Sequence, residues 1–98
     1  MLSNHKLQTA LTEIKEIARI DLALYNDKGK LVVTTFEPED DLSGVVRQFA
    51  ESMAESQTIG HYHFFKVMAD SQLEYVMLAK GGSDDVYMVG KIAAFQVQ

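Results

Sequence analysis

The sequence predicts an α+β domain: a four-stranded antiparallel sheet and three helices in the order α-β-β-α-β-β-α. Three observations lead there. Apolar residues recur at helical spacing in three segments, each opening on polar or acidic residues that suit a helix start. Two paired runs of alternating, β-branched or aromatic residues each surround a short polar turn. Hairpins of that kind pair antiparallel, and helices packed on such a sheet make the class α+β.

The first helix is predicted over residues 4–18. Ser3 or Asn4 can cap it, and Leu7, Leu11, Ile14 and Ile17 or Ala18 form one stripe, while Glu13, Lys15 and Glu16 fall elsewhere. The first hairpin is IDLALYNDKGKLVVTTF, with Ile20, Leu22 and Leu24 alternating with Asp21, Ala23 and Tyr25. Asn26-Asp27-Lys28-Gly29 supplies the turn, with Gly29 free to take a positive φ. Pro38 closes the second strand.

The acidic run Glu37, Glu39, Asp40 and Asp41 then precedes Leu42, Val45, Val46, Phe49 and Met53, which predicts a helix over residues 41–55. Carboxylates there meet the positive end of the helix dipole. Gly44 weakens this helix slightly. After Gly60, two strands are predicted at about residues 61–68 and 73–80, joined by a turn at Ala69-Asp70-Ser71-Gln72 and ended by Gly81-Gly82.

The last helix opens with Ser83 as cap and Asp84 and Asp85 in its first turn. Val86, Val89, Ala93 and Val97 recur at helical steps, and Met88, Ile92 and Phe95 or Gln96 make a flanking row. As a strand, VYMVGKIAAF alternates only moderately, and Ala93-Ala94 is weak strand material. This helix shows no closing glycine, terminal cation or proline. The expectation is therefore a segment of a longer chain rather than a frayed end, with the helix continuing against another domain or a second copy.

At 98 residues the chain is one domain over residues 1–98. No cysteine is present, which excludes disulfides and thiolate metal sites. Apolar residues make up 47 % and charged residues 23 %, ordinary values for a globular domain. The net charge is −5 and the nine Lys and Arg form no run, so the chain itself is not expected to bind nucleic acid. No apolar stretch suits a membrane span, and MLSNHKLQ is unlike a signal peptide, so a cytoplasmic location is expected.

A four-stranded antiparallel sheet flanked by helices resembles the profilin-like group, which includes PAS, GAF and roadblock domains. A closer resemblance is carried by RIDLALYNDKGKLVVTTFE, SQTIGHYHFFKV and LEYVMLAKGGSDDVYMVGKIAAFQVQ. These segments look like the N-terminal domain of bacterial helix-turn-helix regulators of the CdaR and PucR type, which control sugar-diacid and purine catabolism. The resemblance spans essentially all of the chain and is strongest from Phe64 to Gln96. It implies a non-catalytic sensory or dimerisation domain, a homodimer, and a DNA-binding domain downstream of this segment. The alternative is a roadblock-like adaptor that binds a protein partner and no small molecule.

Few residues suggest chemistry. His61 and His63 stand two apart on a predicted strand, but a metal site needs a third or fourth ligand, which the carboxylates of residues 37–41 supply only if the fold brings them there. KGGSDD places acids where a phosphate would sit, and no nucleophile elbow or phosphate loop occurs. Asp40-Asp41 and Asp84-Asp85 are explained by capping. An enzyme is not expected, and neither is a cofactor or a bound metal. The candidate ligand-binding residues for a small anionic metabolite are Tyr62, Lys66, Tyr75 and Lys80, on the second hairpin. The plainer reading packs the aromatic rings under helices while the lysines reach water. The candidate dimer and signal helix is represented by Val86, Val89, Ile92 and Ala93.

Overall fold

The structure, a computed structural model, describes residues 3–38, 40–81 and 86–97. Its elements are α1 (Asn4–Ala18), β1 (Asp21–Tyr25), β2 (Leu31–Thr34), α2 (Ser43–Glu51), β3 (Ser56–Ile59), β4 (Tyr62–Ala69), β5 (Gln72–Lys80) and α3 (Val86–Gln96). The strands form one antiparallel sheet of five, in the order β2-β1-β5-β4-β3. The fold class is therefore α+β with three helices, and the sheet has one strand more than the sequence predicts.

The extra strand is β3. Its residues Ser56-Gln57-Thr58-Ile59 are polar and largely exposed, so no apolar alternation announces it. The second helix, predicted over residues 41–55, spans only Ser43–Glu51, which frees the residues before β3 to turn toward the sheet. There Ser52 turns extended, its N–H and hydroxyl both donating to the Phe49 carbonyl at 3.0 Å and 2.7 Å. Gly60-His61 then reverses the chain into β4, pairing Ile59 with Tyr62, and Gly60 holds φ at +60°.

The turns predicted elsewhere form by their own chemistry. Asn26 Oδ1 accepts from the backbone N–H of Lys28 and Lys30, both at 2.9 Å, and Gly29 takes φ +85°. Asp70 and Ser71 both adopt positive φ, the geometry that matches the twist of a two-residue hairpin. Ser3 is the cap chosen for α1, its hydroxyl accepting from Lys6 N–H at 3.2 Å. α2 begins at Ser43, two residues later than predicted, with Leu42 at the cap position and no side-chain cap; Asp41, just before it, accepts from the Ser43 N–H and hydroxyl. Glu39, Ser83, Asp84 and Asp85, assigned similar roles from the sequence, lie outside the described residues, as does Gly82.

Helices cover both sheet faces. Leu7 and Leu11 of α1 and Val86, Ala93, Ala94 and Val97 at α3 pack on Leu22, Leu24, Phe65, Val67, Tyr75, Met77 and Ala79. Val46 and Phe49 of α2 pack on Ala23, Tyr25, Phe64, Val76 and Leu78. Each large buried side chain contributes about 1.5–3 kcal/mol. No polar or charged residue is buried among those described.

One irregularity redirects the strand parity. Val67 pairs with Tyr75 but Met68 pairs with Leu73, a bulge at Glu74. Leu73 thereby joins the α2 face, while Tyr75, Met77 and Ala79 face α1 and α3.

α3 approaches the sheet closely at Gly90. A Cβ there would stand 2.5 Å from Phe65 Cε2 and 2.9 Å from Ala79 Cβ. Gly90→Ala should therefore destabilise the domain by about 1–3 kcal/mol through overpacking. Gly44→Ala, whose added Cβ meets nothing within 4 Å, should be neutral or stabilise by up to about 1 kcal/mol. Urea unfolding of both variants measures the difference, and equal effects would contradict the close approach at Gly90.

Candidate interaction surface

The side chains of α3 divide in an unusual way. Small residues, Gly90, Ala93 and Ala94, lie toward the sheet with Val86. Large apolar residues lie outside: Tyr87 is 44 % exposed, Met88 65 %, Ile92 53 % and Phe95 75 %. Met88, Ile92 and Phe95 follow steps of four and three, which stack them on one side of the helix. An ordinary surface helix reverses this distribution, with its bulk inward and charge outward. Of the four residues predicted for a dimer and signal helix, Val86 and Ala93 are buried in the domain's own core and Val89 is half-buried against it. Only Ile92 is presented outward.

Beside α3 lies a groove of about 510 Å³, lined by Tyr87 and Phe95 of α3, Phe65 and Lys66 of β4, and Met53 and Ser56. Tyr87 is held by ring contacts to Phe65 at 5.5 Å and His63 at 6.2 Å. Lys91 Nζ lies over the Tyr87 ring at 6.0 Å. Met53, predicted as the last inward residue of the second helix, instead stands beyond its end and is 99 % exposed. Three separate segments build this groove, so no local pattern could reveal it.

The four candidate ligand residues do not form one site. Tyr62, Lys66 and Lys80 lie on the α2 side, whereas Tyr75 packs among the residues under α1 and α3. Tyr62 and Lys66 are also about 13 Å apart along β4. Between them sits Phe64, covered by Phe49 of α2 at a ring distance of 5.8 Å. Lys66 works structurally: its ammonium donates to the Ser52 carbonyl at the end of α2 and lies 5.3 Å from the Phe49 ring centre. Lys80 Nζ sits over the rings of Phe36 at 5.4 Å and Tyr62 at 5.8 Å. Cross-strand pairing accounts for that arrangement, since Lys80 stands opposite Tyr62.

A second, polar cleft of about 540 Å³ lies between α1 and the β1–β2 hairpin. Its lining includes an ion pair, Lys15 Nζ to Asp21 Oδ1 at 2.7 Å, with Thr35 Oγ1 donating to the same oxygen at 3.2 Å. Arg19 lines it from a left-handed backbone, φ 63°, which closes α1 by donating its N–H to the Lys15 carbonyl. His63 is drawn to Thr58, Nδ1 to Oγ1 at 3.1 Å, while His61 lies in the neighbouring turn. Among the described residues no three His, Asp or Glu side chains converge as metal ligands would, and no helix is long and apolar enough to cross a membrane.

Among the described residues three groups have displaced acidities. Burial raises the Tyr25 phenol above its ordinary value, with smaller contributions from Tyr62 and Asp41. Burial also raises Tyr75, helped by Glu74. The Ser43 hydroxyl and N–H hold the Asp41 carboxyl below its usual range. A tyrosine whose folded pKa is raised contributes stability that is complete below the unfolded value of about 10 and is lost as pH rises toward the folded value. The melting temperature should therefore stay level from about pH 7 to 9 and fall above about 10. Tyr25→Phe should reduce that alkaline fall, which a pH series of melting curves measures; an unchanged alkaline limb would show that Tyr25 carries none of it.

No protein-family model and no curated protein matches this chain.

Proposed function

We propose that this chain is a non-catalytic interaction domain, the sensory or dimerisation module of a bacterial transcription regulator of the CdaR and PucR kind, acting in the cytoplasm as a self-associating unit. The observation that carries the reading is the two-sided apolarity of α3. Its inner residues lie in the core with Phe65, Met77 and Ala79, and its outer row of Met88, Ile92 and Phe95 faces outward. A helix so placed responds to any change in the sheet beneath it and presents that change outside. Covering the outer row with a second copy would remove an exposed apolar patch of the kind that marks interaction surfaces. A small effector would act by favouring one arrangement of α3 over another, to the extent that it binds the two differently. The sequence segments that resemble such regulators support the same reading.

The roadblock-like adaptor is the second reading. It is favoured by a separate observation: an antiparallel sheet in the order β2-β1-β5-β4-β3, with α1 and α3 on one face and α2 on the other. That layering suits a profilin-like domain that works through its surface alone.

Light scattering on the purified domain should give a mass above the 11.0 kDa of a single chain. Ile92→Asp combined with Phe95→Asp should lower the mass of the assembly while leaving the fold intact by circular dichroism. A wild-type mass of one chain at high concentration overturns the self-associating reading. Thermal shift against dicarboxylates, purines and sugar acids separates the two alternatives. A specific ligand at about 100 times its Kd should raise the melting temperature by about 10 °C or more, and a level response across the panel favours the adaptor.

A further inference from the structure

The two edges of the sheet are not equivalent. β2 is covered and broken. Gln8 Nε2 donates to the Thr34 carbonyl at 2.9 Å, and Lys15 Nζ to the Thr35 carbonyl at 3.1 Å. A register shift between Leu24 and Tyr25 further distorts that edge. β3 has none of these protections. Its register with β4 is regular, and Ser56-Gln57-Thr58-Ile59 contains no charge and no proline. Exposed edges without charge, proline or bulge invite pairing with another strand.

The ladder shows which main-chain groups face outward. Lys66 N–H donates to the Glu55 carbonyl at 3.1 Å, and Gln57 and Ile59 continue that alternation toward β4. Ser56 and Thr58 therefore direct their N–H and C=O groups away from the sheet. Among the described residues no hydrogen bond reaches them.

We propose that β3 is a seam along which two copies of this chain join, antiparallel and two-fold symmetric, with Gln57 on the axis. In that register Ser56 of each copy exchanges hydrogen bonds with Thr58 of the other, and Gln57 faces its own counterpart. It is the symmetric register that uses both outward-facing residues of each strand. The occupant is a second copy because the seam is self-complementary and uncharged. The chain as a whole carries −5, so β3 is where two copies meet without like charges opposed. Pairing extends the sheet continuously through both copies and sets their α3-side grooves next to each other, since Ser56 and Phe65 line that groove. The seam rests on the self-associating reading but lies on a different surface from the outer row of α3.

The chain has no cysteine, so Gln57→Cys carries a single thiol. Facing residues at a non-hydrogen-bonded antiparallel position stand about 4.5 Å apart, within disulfide range. Mild oxidation of Gln57→Cys should give a covalent dimer at least about 10-fold faster than oxidation of Glu13→Cys, an exposed residue on α1. Gln57→Lys and Gln57→Glu should each lose the seam contact alone, and mixing them should restore a one-to-one assembly. If the wild-type chain self-associates but Gln57→Cys cross-links no faster than Glu13→Cys, the seam is wrong and the self-associating reading stands. If the wild-type chain is a monomer at high concentration and Gln57→Cys does not cross-link, both are wrong. Restored assembly from the mixed Lys and Glu variants, with rapid cross-linking, establishes the seam whatever the α3 variants do.

Discussion

The contact between α3 and the sheet at Gly90 is the constraint on which the rest of the surface depends. Without a side chain at that position, the helix backbone comes down on Phe65 and Ala79. Ala93 and Ala94 continue the close fit. A helix packed this near leaves no room beneath it for large side chains, so its bulk is displaced to the flank and the outside. Tyr87 rests against Phe65 and His63, and Met88, Ile92 and Phe95 stand free of the core. The exposed apolar row thus follows from the way α3 meets the sheet. Close-packed contacts of this kind do not deform continuously, so α3 and the sheet beneath it fit together as one packed unit.

The opposite face shows how charged side chains can serve packing. Lys66 extends past Phe49 to the carbonyl at the end of α2, satisfying a group that the helix terminus leaves without a partner. Lys80 lays its ammonium over Phe36 and Tyr62. α2 occupies the space between them, so this face is closed over its centre by Phe49 on Phe64. The exposed apolar surface is instead concentrated on the α3 side, where Met53 adds to it from the loop after α2.

The sheet edges extend the same logic to the main chain. Every strand between them has both sides hydrogen-bonded, so any pairing with another chain must use an edge. α1 serves β2 in two ways, packing on the core and donating two side-chain hydrogen bonds to the edge carbonyls. β3 meets α3 only across the groove that Ser56 helps to line, and Gln57, Thr58 and Ile59 are exposed. β4 is the strand that it pairs with in one copy.

Local chemistry was legible from the residues themselves. The stripe of Leu7 and Leu11, the Asn26-to-Gly29 turn, the reversal at Asp70-Ser71 and the helical period of α3 are read from neighbours within a few positions. The physics that creates them acts over the same distance. β3 escaped because an exposed strand needs no apolar alternation and is held by its partner's main chain. The bulge at Glu74 moved Leu73 to the face opposite Tyr75, a register choice made between strands. By itself the sequence determined the α+β class, the three helices, two of the hairpins and the absence of a disulfide framework. Tertiary structure alone decided which face each helix covers, which edge stays open, and that the larger apolar residues of α3 lie outside. Those outcomes depend on close approach between segments far apart in the chain, and residue spacing within a segment carries no record of that distance.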